Sequence, residues 1–333
     1  MERFFVALAS KRRDRRAQAV NIGHSRGETK SKGILNDMSN AKFVLTCCST
    51  VDLSKQRLDE RNIPYVCFHY FLDGVEHVDD LYATSSAHEF YDKMVSGADT
   101  RTSQINVTEF IAFFDKLLSE GNDVLHIAFS SGLSGSANSA RIAIEELSEK
   151  YPDRKIMLVD SLGASSGYGL LVELAADLRD SGASIEEAYE WTLENRLNIQ
   201  TWFFSTDLTF YIKGGRVSKL SGWFGTALKI CPLLNMNHEG KLIPREKVRT
   251  KQRVIKTIVE KMTLFAKDRE NYSGRCYISH SDCLDDAKLV KALVEEKFKN
   301  VKSIEIFDIG SVIGSHTGPG TVALFYEGDK RED

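Results

Sequence analysis

Three short polar segments combine hydroxyl side chains with glycines, and each lies next to the end of a strand-like apolar run. They are residues 101–104 (RTSQ), residues 130–136 (SSGLSGS) and residues 314–320 (GSHTGPG). Hydroxyl groups and the free N–H groups of a helix N-terminus donate hydrogen bonds to anionic oxygens, and glycine lets the backbone approach a ligand closely. Because ligands of open α/β sheets bind where strands end, the three segments predict a site for an anionic group.

The second segment allows other interpretations. A capped helix start explains its serines and glycines without any ligand. The segment also approaches the GxSxG elbow of serine hydrolases, with Ser134 as the nucleophile, but Ser136 replaces the last glycine. A hydrolase would further need a base and an acid, and the candidates are His316 or His280 and Asp282 or Asp308. The sequence contains no GxxxxGKS or GxxxxGKT, so it offers no P-loop for phosphate.

Composition limits the class of partner and the compartment. The formal net charge of the 333 residues is −3, which gives no reason to expect nucleic acid as a partner. The six cysteines include no CxxC pair, and most lie in apolar runs, so we expect free thiols in a reducing compartment and no metal site. We expect a cytoplasmic protein.

A membrane partner is not expected either. No apolar stretch approaches the roughly 18 residues that a membrane span requires, so we expect no stable membrane insertion. The short apolar run over residues 4–9 precedes the basic cluster of residues 11–16, which is the reverse of the order in a signal peptide.

The elements that must position the polar segments divide the chain into three parts. Residues 1–40 are basic, polar and without periodicity, and we expect a disordered extension. Residues 41–163 alternate strands and helices, which predicts an α/β domain with a parallel sheet, its strands at 42–48, 65–71, 123–129 and 155–160. Residues 164–328 predict an α+β domain, with a hairpin at 233–245 and a last strand at 321–326.

In order and spacing, the polar segments and their surroundings resemble the DegV family over residues 42–327. The residues that carry the resemblance are Ser49-Thr50 with Asp52, TSQ at 102–104, SSGLSG at 130–135, VDS at 159–161, KGGRVS at 213–218, LKICP at 228–232, GKLIP at 240–244 and HTGPG at 316–320. Two positions depart from the family pattern. The SDST after the first strand is CCST here, and the proline after TSQ is Ile105, which loosens the turn that positions Thr102.

The resemblance implies a bacterial two-domain α/β protein that holds one long-chain fatty acid in a tunnel and needs no cofactor. It places the carboxylate on Thr102 and Ser131 with His316 close by, and the remaining candidate ligand residues are Ser103, Ser130, Gly132, Thr317 and Arg216. It further implies that the protein is not an enzyme. In the lipid-uptake version of the family, the bound fatty acid is presented to a separate fatty acid kinase, which makes an acyl phosphate, and residues 213–216 would lie near that site or on the partner surface.

Energetics fit this interpretation. A chain of about 16 carbons buries about 14 methylene groups, worth roughly 11 kcal/mol in total. The buried carboxylate is costly unless its oxygens are fully hydrogen-bonded. The alternatives are a lipid-ester hydrolase that uses Ser134 and His316, and a sensor that binds a lipid but acts through a protein partner.

Overall fold

The computed structural model describes residues 43–217 and 230–333. The predicted extension over residues 1–40 lies outside the described residues, as do Ser218 and residues 228–229 of the family motifs. The strands are β1 Val44–Cys48, β2 Tyr65–Val66, β3 His69–Leu72, β4 Val75–Val78, β5 Thr100–Ser103, β6 Val124–Ala128, β7 Ile156–Asp160, β8 Ile199–Ser205, β9 Ile230–Met236, β10 Leu242–Arg249, β11 Arg275–His280, β12 Ser303–Asp308 and β13 Thr321–Glu327.

The helices alternate with these strands in the first half and cluster in the second. They are α1 Lys55–Glu60, α2 Ala87–Val95, α3 Val107–Ser119, α4 Ser136–Lys150, α5 Ser165–Asp180, α6 Ile185–Asn195, α7 Thr209–Gly214, α8 Lys251–Phe265, α9 Leu284–Lys297 and α10 Ser311–Thr317. Side chains cap several of them, as the predicted cap Ser54 does for α1 by accepting a hydrogen bond from the N–H of Arg57.

The first sheet is parallel, as predicted, with the strand order β2-β1-β6-β7. Every residue of β6 is buried, which is why this strand is a continuous apolar run rather than an alternating one. Its one polar residue, His126, is fully buried and its Nδ1 lies 2.9 Å from the Thr46 hydroxyl. The predicted boundary at residue 163 falls between β7 and α5, and it stays a prediction.

The second sheet is mixed, with the order β10-β9-β8-β13-β11-β12. The predicted hairpin is confirmed as the antiparallel pair β9 and β10. Helices α8 and α9 pack together, and they bury a separate apolar cluster that includes Trp202, Phe204 and Ile258. The last strand, β13, lies between β8 and β11 and is antiparallel to both.

A third, small sheet has the order β4-β3-β5 and corrects two predictions. The single strand predicted over residues 65–71 is wrong: β2 pairs with β1, whereas β3 belongs to the small sheet. The break falls at Phe68, whose N–H donates to the Ser49 hydroxyl at 3.1 Å instead of continuing a ladder. The segment predicted as a loop over residues 101–104 is mostly strand β5. Strand β5 pairs with β3, most of which falls within the single strand predicted over residues 65–71.

Helix α5 lies between the two large sheets, and all but two of its residues are buried. Two glycines make this possible. A Cβ on Gly169 would lie 2.7 Å from the Val51 carbonyl oxygen on one side, and a Cβ on Gly167 would collide with the Phe325 ring on the other. Because these two glycines have no side chains, the backbone of α5 packs directly against both halves of the protein.

A buried ion-pair network joins α5 to both halves. The guanidinium of Arg57 on α1 donates to the two carboxylate oxygens of Glu173 at 2.5 and 3.0 Å. The hydroxyl of Tyr277 on β11 also donates to Glu173, and Glu305 on β12 accepts from Arg57. Because Glu173 is fully buried, its charge depends on these donors.

We expect Glu173→Gln to lower the free energy of unfolding by about 2 kcal/mol. The glutamine amide nitrogen cannot accept a hydrogen bond from Arg57 or Tyr277, so one of the hydrogen bonds that the carboxylate accepts is lost. Urea unfolding followed by circular dichroism measures the change. The matched control is Glu146→Gln on the exposed face of α4, which should leave the midpoint unchanged. Equal midpoints for the two variants would contradict this role for Glu173.

Candidate functional site

A cavity of about 380 Å³ lies among the small sheet, the mixed sheet, the start of α5 and helix α10. Its walls are predominantly apolar, and the larger side chains that form them are Phe68, Phe129, Phe203, Met236, Leu242 and Phe325. Four of these side chains belong to strands of the mixed sheet, whereas Phe68 lies between β2 and β3 and Phe129 follows β6. Helix α10 contributes Val312 and Ile313. Such a lining is suited to a hydrocarbon.

Polar groups gather where β5 meets α10. Thr102 and Ser103 at the end of β5 line the cavity, as do His316 and Thr317 at the end of α10 and Arg216 just after α7. The Thr102 hydroxyl and His316 Nε2 are 2.8 Å apart, which joins the two elements by a hydrogen bond. The Thr317 hydroxyl is buried without a hydrogen-bond partner. A buried hydroxyl without a hydrogen-bond partner destabilises the folded state, so a ligand oxygen that accepts a hydrogen bond from Thr317 would remove this cost.

The imidazole of His316 is neutral at physiological pH. Burial, and then the charge of Arg216, lower its pKa to about 4. Helix α7 holds the ring in place, because a Cβ on Gly214 would lie 2.7 Å from Nδ1. When Nε2–H donates to Thr102, the Thr102 hydroxyl hydrogen is left to donate to a ligand oxygen. This pair therefore offers a hydrogen bond and no charge.

The segment over residues 130–136 places its serines on different sides. The Ser130 hydroxyl is fully buried, donates to the Gly240 carbonyl at 2.9 Å and accepts the Gly132 N–H at 3.1 Å. Ser131 is exposed, and its N–H donates to Asp160. The cavity wall is formed instead by Leu133, Ser134 and Gly135.

The location expected for Ser131 is therefore corrected, since Ser134 takes the place on the cavity wall. The N–H groups of Leu133 and Ser134 both donate to the Ser130 carbonyl, which makes a turn. Ser131 is exposed at this turn, whereas Ser134 lines the cavity. Ser130 and Gly132 instead fix the loop to the β9–β10 hairpin, where a Cβ on Gly132 would lie 2.7 Å from the Gly240 carbonyl oxygen.

The predicted hydrolase constellation is not assembled. The Ser134 hydroxyl accepts a hydrogen bond from the N–H of Ser136, whereas His316 Nε2 is bonded to Thr102. Nδ1 of His316 has no partner, so no carboxylate orients the ring. The other candidate groups pair elsewhere: His280 with Asp308 at 3.5 Å, and Asp282 with His88 at 3.0 Å.

Helix α10 is the part of the site that the local sequence pattern did not predict. The loop predicted over residues 314–320 is wrong in its first half, because α10 runs through Thr317 and Gly318 ends it with a φ of +66°. A signal for the helix exists in the spacing of Val312, Ile313 and His316, which places all three on one helical face. Other lining hydroxyls, on Ser165, Thr201 and Thr321, lie within elements and carry no local motif.

A sequence model of the family described as "Uncharacterised protein, DegV family" matches residues 42–329, most of the chain. The chain belongs to the DegV family. The DegV domain-containing protein CPE0026 of Clostridium perfringens (strain 13 / Type A) is 37% identical over 291 residues, which cover 87% of this chain and 99% of that relative. The family assignment from the polar segments is thereby confirmed.

Solved structures confirm the fold. A DegV protein from Thermus thermophilus, described by its fatty acid binding, has a TM-score of 0.76 at 26% identity, covering 86% of this chain and 99% of the other. Protein TM841 from Thermotoga maritima, described as revealing a fatty acid binding function, has a TM-score of 0.74 at 27% identity, covering 87% of this chain and all of the other. The predicted DegV-like α/β fold, with a parallel sheet and a separate mixed sheet, is correct, and the division into two domains stays a prediction.

This DegV chain shows neither a metal cluster nor a membrane-spanning helix in the ranges that the structure describes. Within residues 43–217 and 230–333, no three His, Cys, Asp or Glu side chains are grouped so that they could hold a metal ion. Across the same ranges, no helix combines the length and the apolar character needed to cross a bilayer.

We expect the His316 ring to titrate near pH 4, and Arg216→Gln to raise this value, because the guanidinium opposes protonation. NMR titration of the ring signals, assigned with His316→Gln, measures both. Since the folded state favours the neutral ring, its contribution to stability is present above pH 6.5 and is lost as the pH falls towards 4. A midpoint near 6.5 would show that the ring is open to water.

Proposed function

We propose that this protein binds one long-chain fatty acid in the cavity, with the carboxylate at the polar end where β5 meets α10. The observation that carries the proposal is the combination of a mostly apolar cavity with the Thr102–His316 pair and the unpaired Thr317 hydroxyl at one end. The volume of about 380 Å³ lies within the range of about 300–1,000 Å³ common for small-molecule sites. The fatty acid binding of the Thermus and Thermotoga relatives supports the same ligand class.

The carboxylate in this proposal receives hydrogen bonds from Thr102, Ser134 and Thr317, while Arg216 supplies the nearby positive charge. A neutral His316 orients Thr102 and does not form an ion pair with the ligand. Hydroxyl donors satisfy a buried carboxylate less strongly than a direct contact with a cation would. The apolar tail thus supplies most of the affinity, and the head group is held loosely enough to be handed on.

The finer part of the proposal concerns the fate of the bound fatty acid. The protein presents the carboxylate to a separate fatty acid kinase, which transfers the terminal phosphoryl group of a nucleoside triphosphate to a carboxylate oxygen, so that an acyl phosphate forms and a nucleoside diphosphate leaves. The support is the family resemblance and the position of Arg216, whose guanidinium lines the same end of the cavity and suits a phosphate as well as a carboxylate. In this proposal the chain works in the cytoplasm, needs no cofactor, and leaves the chemistry to its partner.

We expect Thr102→Val to weaken fatty acid binding at least tenfold, because it removes the hydroxyl and keeps the shape of the side chain. Ser134→Ala should weaken binding to a similar degree. The matched control is Ser131→Ala, which should leave the affinity within about twofold, because Ser131 lies outside the cavity wall. Displacement of a fluorescent fatty acid from delipidated protein measures all three, and a large effect of Ser131→Ala alone would return the head group to that residue.

A second experiment separates binding from hydrolysis. The purified protein should carry one fatty acid, seen by denaturing mass spectrometry of the extracted lipid, and should not turn over a short-chain nitrophenyl ester. The reason is that Ser134 lacks a hydrogen bond to His316, so it has no general base. Ester turnover that disappears in Ser134→Ala would establish the hydrolase instead.

A further inference from the structure

Two carboxylic acids, Asp52 and Asp79, are buried beside the start of α10. Asp52 is 3% exposed and Asp79 is 1% exposed. Asp52 Oδ1 accepts the N–H of Gly310 at 3.0 Å, and Oδ2 accepts the Ser165 hydroxyl at 2.5 Å. Neither oxygen of Asp79 has a partner at hydrogen-bond geometry. A buried carboxylate with so few donors is stabilised by a nearby cation or by a proton.

Gly310 brings the two carboxyl groups together. A Cβ on Gly310 would lie 2.7 Å from Asp52 Oδ1 and 3.6 Å from Asp79 Oδ1, so both oxygens face the same small space. Burial is the main cause that raises the pKa of Asp79 to about 6, and it outweighs the nearby Ser49 hydroxyl and Ser311 N–H, which favour the charged form. Burial also raises the pKa of Asp52 well above its ordinary value, and the charge of Asp79 raises it further.

The surroundings supply little compensating positive charge. Six titratable side chains near the pair either affect its ionisation or have their own pKa raised by its charge. They lie on β3, the loop after β4, α2 and β12, and they are His69, Tyr70, Asp80, Tyr82, Tyr91 and Asp308. Among these only His69 is basic, and its Nε2 lies 2.7 Å from Glu109. A proton is therefore the simplest cation for the pair, since burial opposes the ionisation of both acids around Gly310.

The pair is connected to the ligand cavity without lining it. Ser165, which donates to Asp52, lines the cavity at the start of α5. Gly310, the other donor, is the residue before α10, and that helix carries Val312, His316 and Thr317 into the cavity. Asp52 thus holds α5 and α10 at the spacing that the polar end of the cavity requires.

We propose that Asp52 and Asp79 share one proton near neutral pH, and that this proton positions α10 for fatty acid binding. One acid of the pair is then neutral, and the Gly310 N–H and the Ser165 hydroxyl help to stabilise the single remaining charge. Loss of the proton leaves two negative charges around Gly310, and their repulsion displaces the start of α10 and weakens the grip on the ligand. Both are positioning residues. The link to the ligand rests on the proposed function, whereas the proton site does not.

The sign of the pH effect depends on the raised pKa values. The folded state binds the proton more tightly than the unfolded chain does, so the pair contributes most to stability in acid. This contribution decreases as the pH rises from the ordinary carboxyl value towards 6, and it is lost above the pKa values of the folded pair. Fatty acid affinity changes in the same direction.

The test compares the wild type with Asp79→Asn from about pH 5 to about pH 8.5. Thermal unfolding of delipidated protein should show the wild type losing stability relative to Asp79→Asn as the pH rises. The ratio of their dissociation constants for a fluorescent fatty acid should change at least tenfold over the same range. Comparing the two proteins at each pH cancels the titration of the fatty acid itself. The matched control, Asp153→Asn in the exposed turn after α4, should behave like the wild type.

Infrared spectroscopy of the wild type provides a second readout that needs no well-folded variant. The carbonyl band of a protonated carboxylic acid should be present at about pH 7. Asp52→Asn, which tolerates the left-handed backbone at φ +47°, should remove or shift it. The absence of that band, parallel pH curves for wild type and Asp79→Asn, or stabilisation by added Mg²⁺ or Ca²⁺ would overturn the proposal. Diverging unfolding curves without any fatty acid binding would reject the proposed function and keep the proton site.

Discussion

The hydrogen bond between Thr102 and His316 is the interaction on which the site depends, because it closes the polar end of the cavity with groups from two distant parts of the chain. It forms only if β5 and α10 are correctly placed, and it adds no charge to the cavity as long as the ring stays neutral. Burial keeps it neutral, and Gly214 leaves room for it. A charged imidazole would bind a carboxylate more tightly, but burial of the ring opposes its protonation.

The elements around this hydrogen bond are held together in the interior by the close packing of helix α5 against its neighbours. Helix α5 touches the segment after β1 at Gly169 and strand β13 at Gly167, and Glu173 on the same helix accepts hydrogen bonds from α1 and β11. The cavity lies at the start of this helix, where Ser165 joins its wall to Asp52. Helix α5 therefore contributes both to the packed interior of the fold and to the cavity wall, so buried charges near this helix influence both.

Several elements could be predicted from local pattern because their signals are local. The buried strand β6, the β9–β10 hairpin and the Ser54 cap each depend on residues within a few positions of one another. In the small sheet, the β3–β4 hairpin has a local signal in its Asp73-Gly74 turn, which the single strand predicted over residues 65–71 missed. The pairing of β5 with β3 has no such signal, since it joins remote segments with Tyr70 opposite Thr102. Helix α10 was not predicted for a different reason: its glycines and hydroxyls are as typical of a loop as of a short helix.

The sequence by itself determined the family, the parallel sheet, the β9–β10 hairpin and the residue types at the polar end of the cavity, since motif order and spacing are properties of the chain. Only the tertiary structure decided which serine of residues 130–136 reaches the cavity, because the loop packs against the β9–β10 hairpin through Ser130 and leaves Ser131 exposed and Ser134 on the cavity wall. It alone also showed that Asp52 and Asp79 meet at Gly310. Such proximity arises from packing between remote segments, which no local pattern contains.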